Sequence, residues 1–330
     1  MSPDHSPTPP LPPAEVAAHG ARVLDAVGQA VVGMREPLTI ALAALISGGH
    51  ILFEDVPGVG KTLAARSLAA ALGLEFTRLQ CTPDLLPGDI TGSTVFDPKT
   101  RAFDFRPGPI FTGLLLADEI NRAGPKTQSA LLEAMAERHV SVDGVSHPLP
   151  DPFLVMATSN PVEYEGTYPL PEAQLDRFMI RLAVGYPDAD QERDILLRRV
   201  GRRSEEAVVP QIVDAEIVRR MRAGVEAVDV DDDVARYCVD LTAATRHHPQ
   251  LDIGASPRGS QNLLLLARGL AVLDGRDYVI PEDVKRAAVP VLSHRVVLTP
   301  AAWAEGVGTE KIIAQILTRI AGPSAAGHSE

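Results

Sequence analysis

The segment Asp55-Val-Pro-Gly-Val-Gly-Lys-Thr62 lies between a short apolar run, Ile51-Leu52-Phe53, and a helical pattern from Thr62 to Leu72 that Gly73 closes. A strand, a glycine-rich turn and a helix in this order form a phosphate cradle. Backbone N–H groups and the helix N-terminus both face the anion. Gly60, Lys61 and Thr62 match the G-K-[ST] end of the phosphate-binding pattern G-x-x-x-x-G-K-[ST]. Lys61 is then placed for the β- and γ-phosphates, and the Thr62 hydroxyl for Mg2+. The first glycine of that pattern is replaced by Asp55, and Gly58 is expected to supply the compensating backbone freedom.

Downstream, Leu114-Leu-Leu-Ala-Asp118-Glu119 ends an apolar run in two acids. Open α/β sheets bind ligands at the carboxyl ends of their strands. There Asp118 is suited to hold Mg2+ through water, and Glu119 to polarise an attacking water. Alone, the pair reads equally well as a helix cap; beside the phosphate loop the chemical role prevails. No Asn-Lys-x-Asp segment that would read guanine occurs, so ATP hydrolysis is the expected chemistry. A third strand, Phe153 to Thr158, ends at Ser159-Asn160-Pro161. Asn160 either orients a water against the γ-phosphate or initiates a turn. Arg177, after the short helix Glu172-Ala-Gln-Leu-Asp176, is either a helix C-terminal cation or an arginine finger. Arg258 follows Ser256-Pro257 at a helix start, where a cation opposes the macrodipole and requires an anionic partner.

The remaining sequence bounds these readings. At 330 residues the chain allows about two domains. Its composition, 45% hydrophobic and 22% charged, excludes disorder for the bulk of it. With 4% aromatics and a net charge of −12, nucleic acid and anionic membranes are unfavoured partners. Cys81 and Cys238 lack metal-ligand spacing, which suits a reduced, cytoplasmic protein. The longest apolar stretch, Leu38 to Ile46, is about half the ~20 residues a bilayer needs, so it is expected to be a buried helix. The start has neither a basic nor an apolar signal region, and no membrane insertion is expected. Strand-length runs alternate with helical patterns up to Tyr186, and beyond it every strong pattern is helical. The expected division is a disordered Pro-rich tail over 1–13, a nucleotide-binding core over 14–186, a helical domain over 187–321 and a disordered tail over 322–330.

Four runs, LFEDVPGVGKT, LLLADEINRAGPKTQSALLEAMAERHVSVDG, MATSNPVEYEGTYPLPEAQLDRF and GASPRGSQNLLLLARGLA, resemble in order the MoxR subfamily of AAA+ ATPases. The resemblance implies an α/β fold: a P-loop αβα core with a parallel sheet, followed by an all-helical lid. It implies ATP and Mg2+ as ligands. It makes Gly58, Gly60, Lys61 and Thr62 the Walker A residues, with Pro57, Val59 and Leu63 beside them at the nucleotide. Asp118 and Glu119 become Walker B, Asn160 sensor 1, Arg177 a finger acting in trans and Arg258 sensor 2, while Val32 and Gly33 lie near the adenine. It further implies a homo-oligomeric ring, a hexamer, acting on a client protein, often one with a von Willebrand factor A domain, in chaperone-like maturation or metal insertion. Two rival readings are a nucleic-acid-dependent motor and a nucleotide switch that does not hydrolyse.

The same resemblance places two hairpins, Thr94 to Phe111 and His139 to Pro150, on the core and implies that they face a pore or a partner. The first interleaves Lys99, Arg101 and Arg106 with Phe103 and Phe105, the one nucleic-acid-like pattern in the chain, or else a solvated hairpin with a partly buried aromatic face. Asp229 to Asp233 reads as an acidic helix start, His247-His248 as loop, and Trp303 as a packing anchor for the last helices.

Overall fold

The computed structural model describes residues 8–160, 167–204 and 207–323. Two helices precede the sheet. Helix α1 (Pro13–Ala30) starts on a proline at its first turn and buries Val16, Gly20, Val23, Leu24 and Val27 along one stripe. Helix α2 (Arg35–Ile46) is apolar around most of its girth and buries Leu38 and every residue from Ile40 to Ile46. The apolar stretch read as a buried helix is therefore this element.

The core continues with β1 (Ile51–Glu54), α3 (Lys61–Ala71), β2 (Phe76–Gln80), α4 (Pro87–Thr91), the hairpin β3 (Gly92–Asp97) and β4 (Ala102–Pro107), and β5 (Leu114–Asp118). A single 3-10 turn at Ile120–Arg122 leads to α5 (Pro125–Glu137), a second hairpin of β6 (His139–Val142) and β7 (Val145–Pro148), β8 (Leu154–Ser159), α6 (Glu172–Leu175) and β9 (Ile180–Leu182). Strands β2-β5-β8-β1-β9 form one sheet in that order, and every neighbouring pair is parallel. Alternation along the strands feeds two apolar layers. Ile51, Phe53, Leu114, Leu116 and Met156 face one cluster with α1–α3. Leu52, Leu115, Ala117, Val155 and Ala157 face another with Leu131, Leu132 and Met135 of α5.

Beyond residue 186 follow α7 (Ala189–Arg202), α8 (Ala215–Glu226), α9 (Asp232–Arg246), β10 (Leu251–Ile253), α10 (Pro257–Leu273), α11 (Pro281–Leu292), β11 (Val297–Leu298), α12 (Pro300–Ala304) and α13 (Thr309–Arg319). Among the described residues this region is helical apart from the short antiparallel pair β10–β11 and an isolated bridge between Asp229 and Tyr278. Helix α10 is its centre and packs on α1, α2, α8, α9 and α11. As a result, the first apolar cluster runs without a break from the sheet through α1 and α2 into α8–α11.

Three details depart from the sequence reading. Residues 8–12 do not trail away. Leu11 is buried and its N–H donates to Arg220 O at 3.2 Å, because Gly224 leaves α8 without a side chain where Leu11 crosses it. The rest of that expected tail, 1–7, and residues 324–330 of the other lie outside the described residues. Trp303 is 76% exposed, so the last helices are anchored instead by Ala302, Ile312, Ile313 and Ile316. Strand β2 is an additional edge strand; its alternating Thr77, Arg78 and Gln80 hide it from a search for apolar runs. Among the described residues no helix is long and apolar enough to cross a membrane.

Candidate active site: a cleft at the carboxyl edge of the sheet

The loop from Asp55 to Gly60 connects β1 to α3, so α3 points its N-terminus over the carboxyl edge of the sheet. Gly58 and Gly60 both hold φ of +86°, the left-handed region that favours glycine. Position 55 is not among the residues with positive φ, which is why an aspartate is tolerated where the motif has glycine. Asp55 is buried and fully employed. Its Oδ1 accepts from Val56 N at 2.8 Å, and its Oδ2 accepts from the N–H groups of Val184 and Gly185, the latter at 2.7 Å. The substituted residue thereby ties the phosphate loop to the segment entering α7. Lys61 folds back on the loop and donates from Nζ to Asp55 O (2.8 Å) and Val56 O (3.2 Å). Burial lowers its pKa, opposed by the charges of Asp55, Asp118 and Glu119.

Asp118 is the last residue of β5, next to β8, and Thr158 of β8 stands between the two acids. The Thr158 hydroxyl donates to Asp118 Oδ1 at 2.6 Å and accepts from Glu119 N at 2.8 Å. On its other side Asp118 Oδ2 accepts from Arg78 Nε (3.0 Å) and Nη2 (2.6 Å). Glu119 sits at φ 57° and ψ 52°, a left-handed conformation rare outside glycine and costing about 1–3 kcal/mol. Its Oε2 accepts from Gln80 Nε2 at 2.8 Å and Arg122 Nη1 at 2.9 Å. Cys81, just behind, has its thiol pushed up to about 12 by burial and by these two acids, so it stays a protonated, inert thiol.

Pro57, Gly58, Gly60, Lys61, Thr62, Asp118, Glu119 and Asn160, together with Thr158 and Ser159, line one cleft. Asn160 is buried at the end of β8, and its carbonyl accepts from Asn121 Nδ2 at 3.4 Å. A second, more apolar cavity adjoins the loop; Val32, Gly33, Gly58, Val59, Gly60 and Leu63 form one side, and Val184, Tyr186, Gln191 and Ile195 the other. Gly33 is favoured there because it holds φ of +76°, in the left-handed region. The pair of cavities fits a nucleotide, with phosphates on the first and a base in the second. The oxygen donors of Thr62 and Asp118 suit Mg2+, which binds through few protein ligands plus phosphate and water. Among the described residues no group of three His, Cys, Asp or Glu could hold a metal by itself.

Two expected residues are not in either cavity. Arg177 is half-buried and donates from Nη1 to Leu132 O of α5 at 2.5 Å. Arg258, the second residue of α10, is exposed. The junction beside them is firmly built. Arg295 is buried and donates from Nε to Asp176 Oδ1 (2.7 Å) and from Nη2 to Phe178 O (2.6 Å), while Ser256 donates to Asp176 Oδ2 at 3.4 Å. Burial brings Arg295 down to about 10, a fall that Asp176 limits. Thr158, Arg78, Gln80, Asp176 and Arg295 escaped the sequence reading. Only the strand order and the packing of α11 on β9 reveal them.

A family model for the ATPase family associated with various cellular activities (AAA) matches residues 50–180, and one for the AAA lid domain matches residues 243–316. The chain is 48% identical over 302 residues to YeaC of Bacillus subtilis, covering 92% of this chain and 94% of that one. It is 44% identical to Chaperone MoxR1 of Mycobacterium tuberculosis, over 92% of this chain and 82% of that protein, and 32% identical to Protein MoxR of Paracoccus denitrificans, over 84% and 88%. This chain belongs to the MoxR-type AAA+ ATPases. A crystal structure from Cytophaga hutchinsonii superimposes with a TM-score of 0.87 at 40% identity, covering 94% of this chain and 97% of that one. The sheet with the phosphate loop falls in the matched AAA domain, and α10 to α13 fall largely in the matched lid domain.

Proposed function

We propose that this MoxR-type ATPase hydrolyses ATP in a ring of identical subunits, a hexamer, and spends the energy on remodelling a client protein. The observation that carries the reading is the convergence of Lys61, Thr62, Asp118, Glu119 and Asn160 on one cleft. The loop N–H groups and Lys61 bind the phosphates. Thr62 and Asp118 hold Mg2+, whose charge, when bound, offsets that of the phosphates. Glu119, held at Oε2 by Gln80 and Arg122, accepts at Oε1 a proton from the attacking water, which Asn160 orients. Arg177 of an adjacent subunit stabilises the transferring phosphoryl group, and Arg258 reports the nucleotide to the lid, with the core ending near residue 186 and the lid spanning about 187–321. A cytoplasmic location is supported by two free, buried cysteines.

The client is taken to be a protein, reached through a von Willebrand factor A domain and matured by metal insertion, on the strength of the family and of the chaperone named among the relatives. The nucleic-acid reading is weakened by the net charge of −12 and by Phe105, which stacks on His147 of β7 at 3.8 Å. Phe96 and Phe103 pair at 5.2 Å and remain exposed. The switch reading is opposed by Glu119, which is present and held beside Asp118. The test is Glu119→Gln: ATP binding is expected to persist while phosphate release slows by about two orders of magnitude. The trapped protein should then retain a protein client from lysate, and DNA should not accelerate the parent enzyme. Parental turnover in this variant would place the base elsewhere; salt-sensitive stimulation by DNA would favour the motor.

A further inference from the structure

Two arginines outside the motif residues touch the acids, Arg122 on Glu119 and Arg78 on Asp118, and Arg78 also reaches Glu119 through a second side chain. In the register of β2 with β5, Arg78 lies opposite Leu116 and Gln80 opposite Asp118. A period of two puts Arg78 and Gln80 on one face of this edge strand. From there Arg78 reaches Asp118 Oδ2 with both Nε and Nη2, at 3.0 and 2.6 Å, and Nη2 also donates to Gln80 Oε1 at 3.0 Å. That second bond fixes the Gln80 amide so that its Nε2 faces Glu119 Oε2 at 2.8 Å. A single guanidinium thus acts on Asp118 directly and on Glu119 through Gln80. Asp118 Oδ1 is meanwhile taken by the Thr158 hydroxyl. Of the roughly four lone-pair sites on a carboxylate, three are engaged, which leaves one on Oδ1.

The exposure of the pair speaks against a purely structural purpose. The Arg78 side chain is 51% exposed and that of Asp118 13%, and ion pairs with a solvated partner add little to stability. We propose that Arg78 is a positioning residue that moves magnesium affinity and turnover in opposite directions. Its charge, next to Asp118, opposes the arriving cation. Its planar fork holds Asp118 and the Gln80 amide in the orientation that hydrolysis uses. The proposal rests on the reading of the cleft as an ATP·Mg2+ site.

The test uses the full chain, with Mn2+ as the probe read by electron paramagnetic resonance in the presence of ADP, alongside steady-state ATPase rates. Arg78→Ala should bind Mn2+ about fivefold more tightly, while kcat at saturating Mg2+ falls about 10- to 100-fold. Arg78→Lys keeps the charge and loses the fork. Its Mn2+ affinity should stay within about twofold of the parent while kcat falls as in the alanine variant. Gln80→Ala should lower kcat and leave Mn2+ affinity unchanged. Unchanged or weaker Mn2+ binding by Arg78→Ala, or parental kcat in either arginine variant, overturns the proposal. A parent chain without ADP-dependent Mn2+ binding, or one whose binding survives Lys61→Ala, overturns the ATP·Mg2+ reading beneath it.

Discussion

The phosphate cleft and the two arginines expected to serve it are built in opposite ways. In the cleft every charged group already has partners from its own chain: Lys61 has two loop carbonyls, Asp118 has Thr158 and Arg78, and Glu119 has Gln80 and Arg122. Arg177 instead donates to Leu132 O on α5, and Arg258 stands exposed at the start of α10. The first arrangement is pre-organised, so the desolvation and ordering costs of the phosphate-binding groups are met during folding. Under the proposal of a finger in trans, the second is completed by assembly or lid movement, and turnover is then conditional on a neighbour. The joint that carries Arg177 is anchored, since Asp176 is held by buried Arg295. On the proposed reading, what separates the two regions is the source of the missing partner.

That contrast is easiest to break at its larger end. Arg177→Ala should reduce ATP turnover by about 10³–10⁵, the worth of an arginine finger, while leaving ATP affinity near the parent value. A loss below tenfold in a phosphate-release assay would reduce Arg177 to a helix-terminal cation bonded to Leu132 O. Lys61→Ala strikes the pre-organised half. It should weaken ATP binding by about 2 kcal/mol or more, some thirtyfold in Kd by calorimetry, because a charge-assisted bond to phosphate is lost.

The smallest effect concerns the frame between the regions. His50, ahead of β1, is fully buried; it donates from Nε2 to Met135 O of α5 (3.2 Å) and accepts at Nδ1 from Val155 N of β8 (3.0 Å). Only the neutral ring does both. Burial lowers its pKa to about 3, helped by the charges of Arg138, Arg222 and Arg258. The unfolded chain takes up that proton near pH 6.5. Stability is accordingly complete above about pH 6.5 and declines as pH falls from there toward 3. Urea midpoints should drop across this window, and His50→Gln, less stable at neutral pH, should show a shallower drop. A parallel pH dependence in both proteins would remove His50 as a contributor.

How far the sequence reached depended on the range of the interaction. The strand-loop-helix around Lys61 was legible because its glycines, its lysine and its apolar strand are contiguous. Strand β5 showed its two acids for the same reason. Strand β2 was hidden because an edge strand with Thr77, Arg78 and Gln80 has no apolar run, and its role appears only once it lies beside Asp118. Asp55 was legible as a departure but not as a tie, since Val184 and Gly185 are remote in the chain. Trp303 misled because size suggests burial, whereas α12 is short and turns that side chain to solvent. The Pro-rich start misled through composition, since one leucine in it finds the slot over Gly224.

The claim that a site takes its acid from one subunit and its finger from the next is tested most directly by mixing two inactive variants. Glu119→Gln and Arg177→Ala are combined one to one, and subunit exchange is verified by fluorescence transfer between labelled chains. About a quarter of the interfaces then pair an intact Glu119 with a neighbouring intact Arg177. ATPase activity should reappear, up to about that fraction of the parent rate and lower if the ring is cooperative. Exchange without any recovery of activity would contradict both the finger in trans and the placement of sites between subunits.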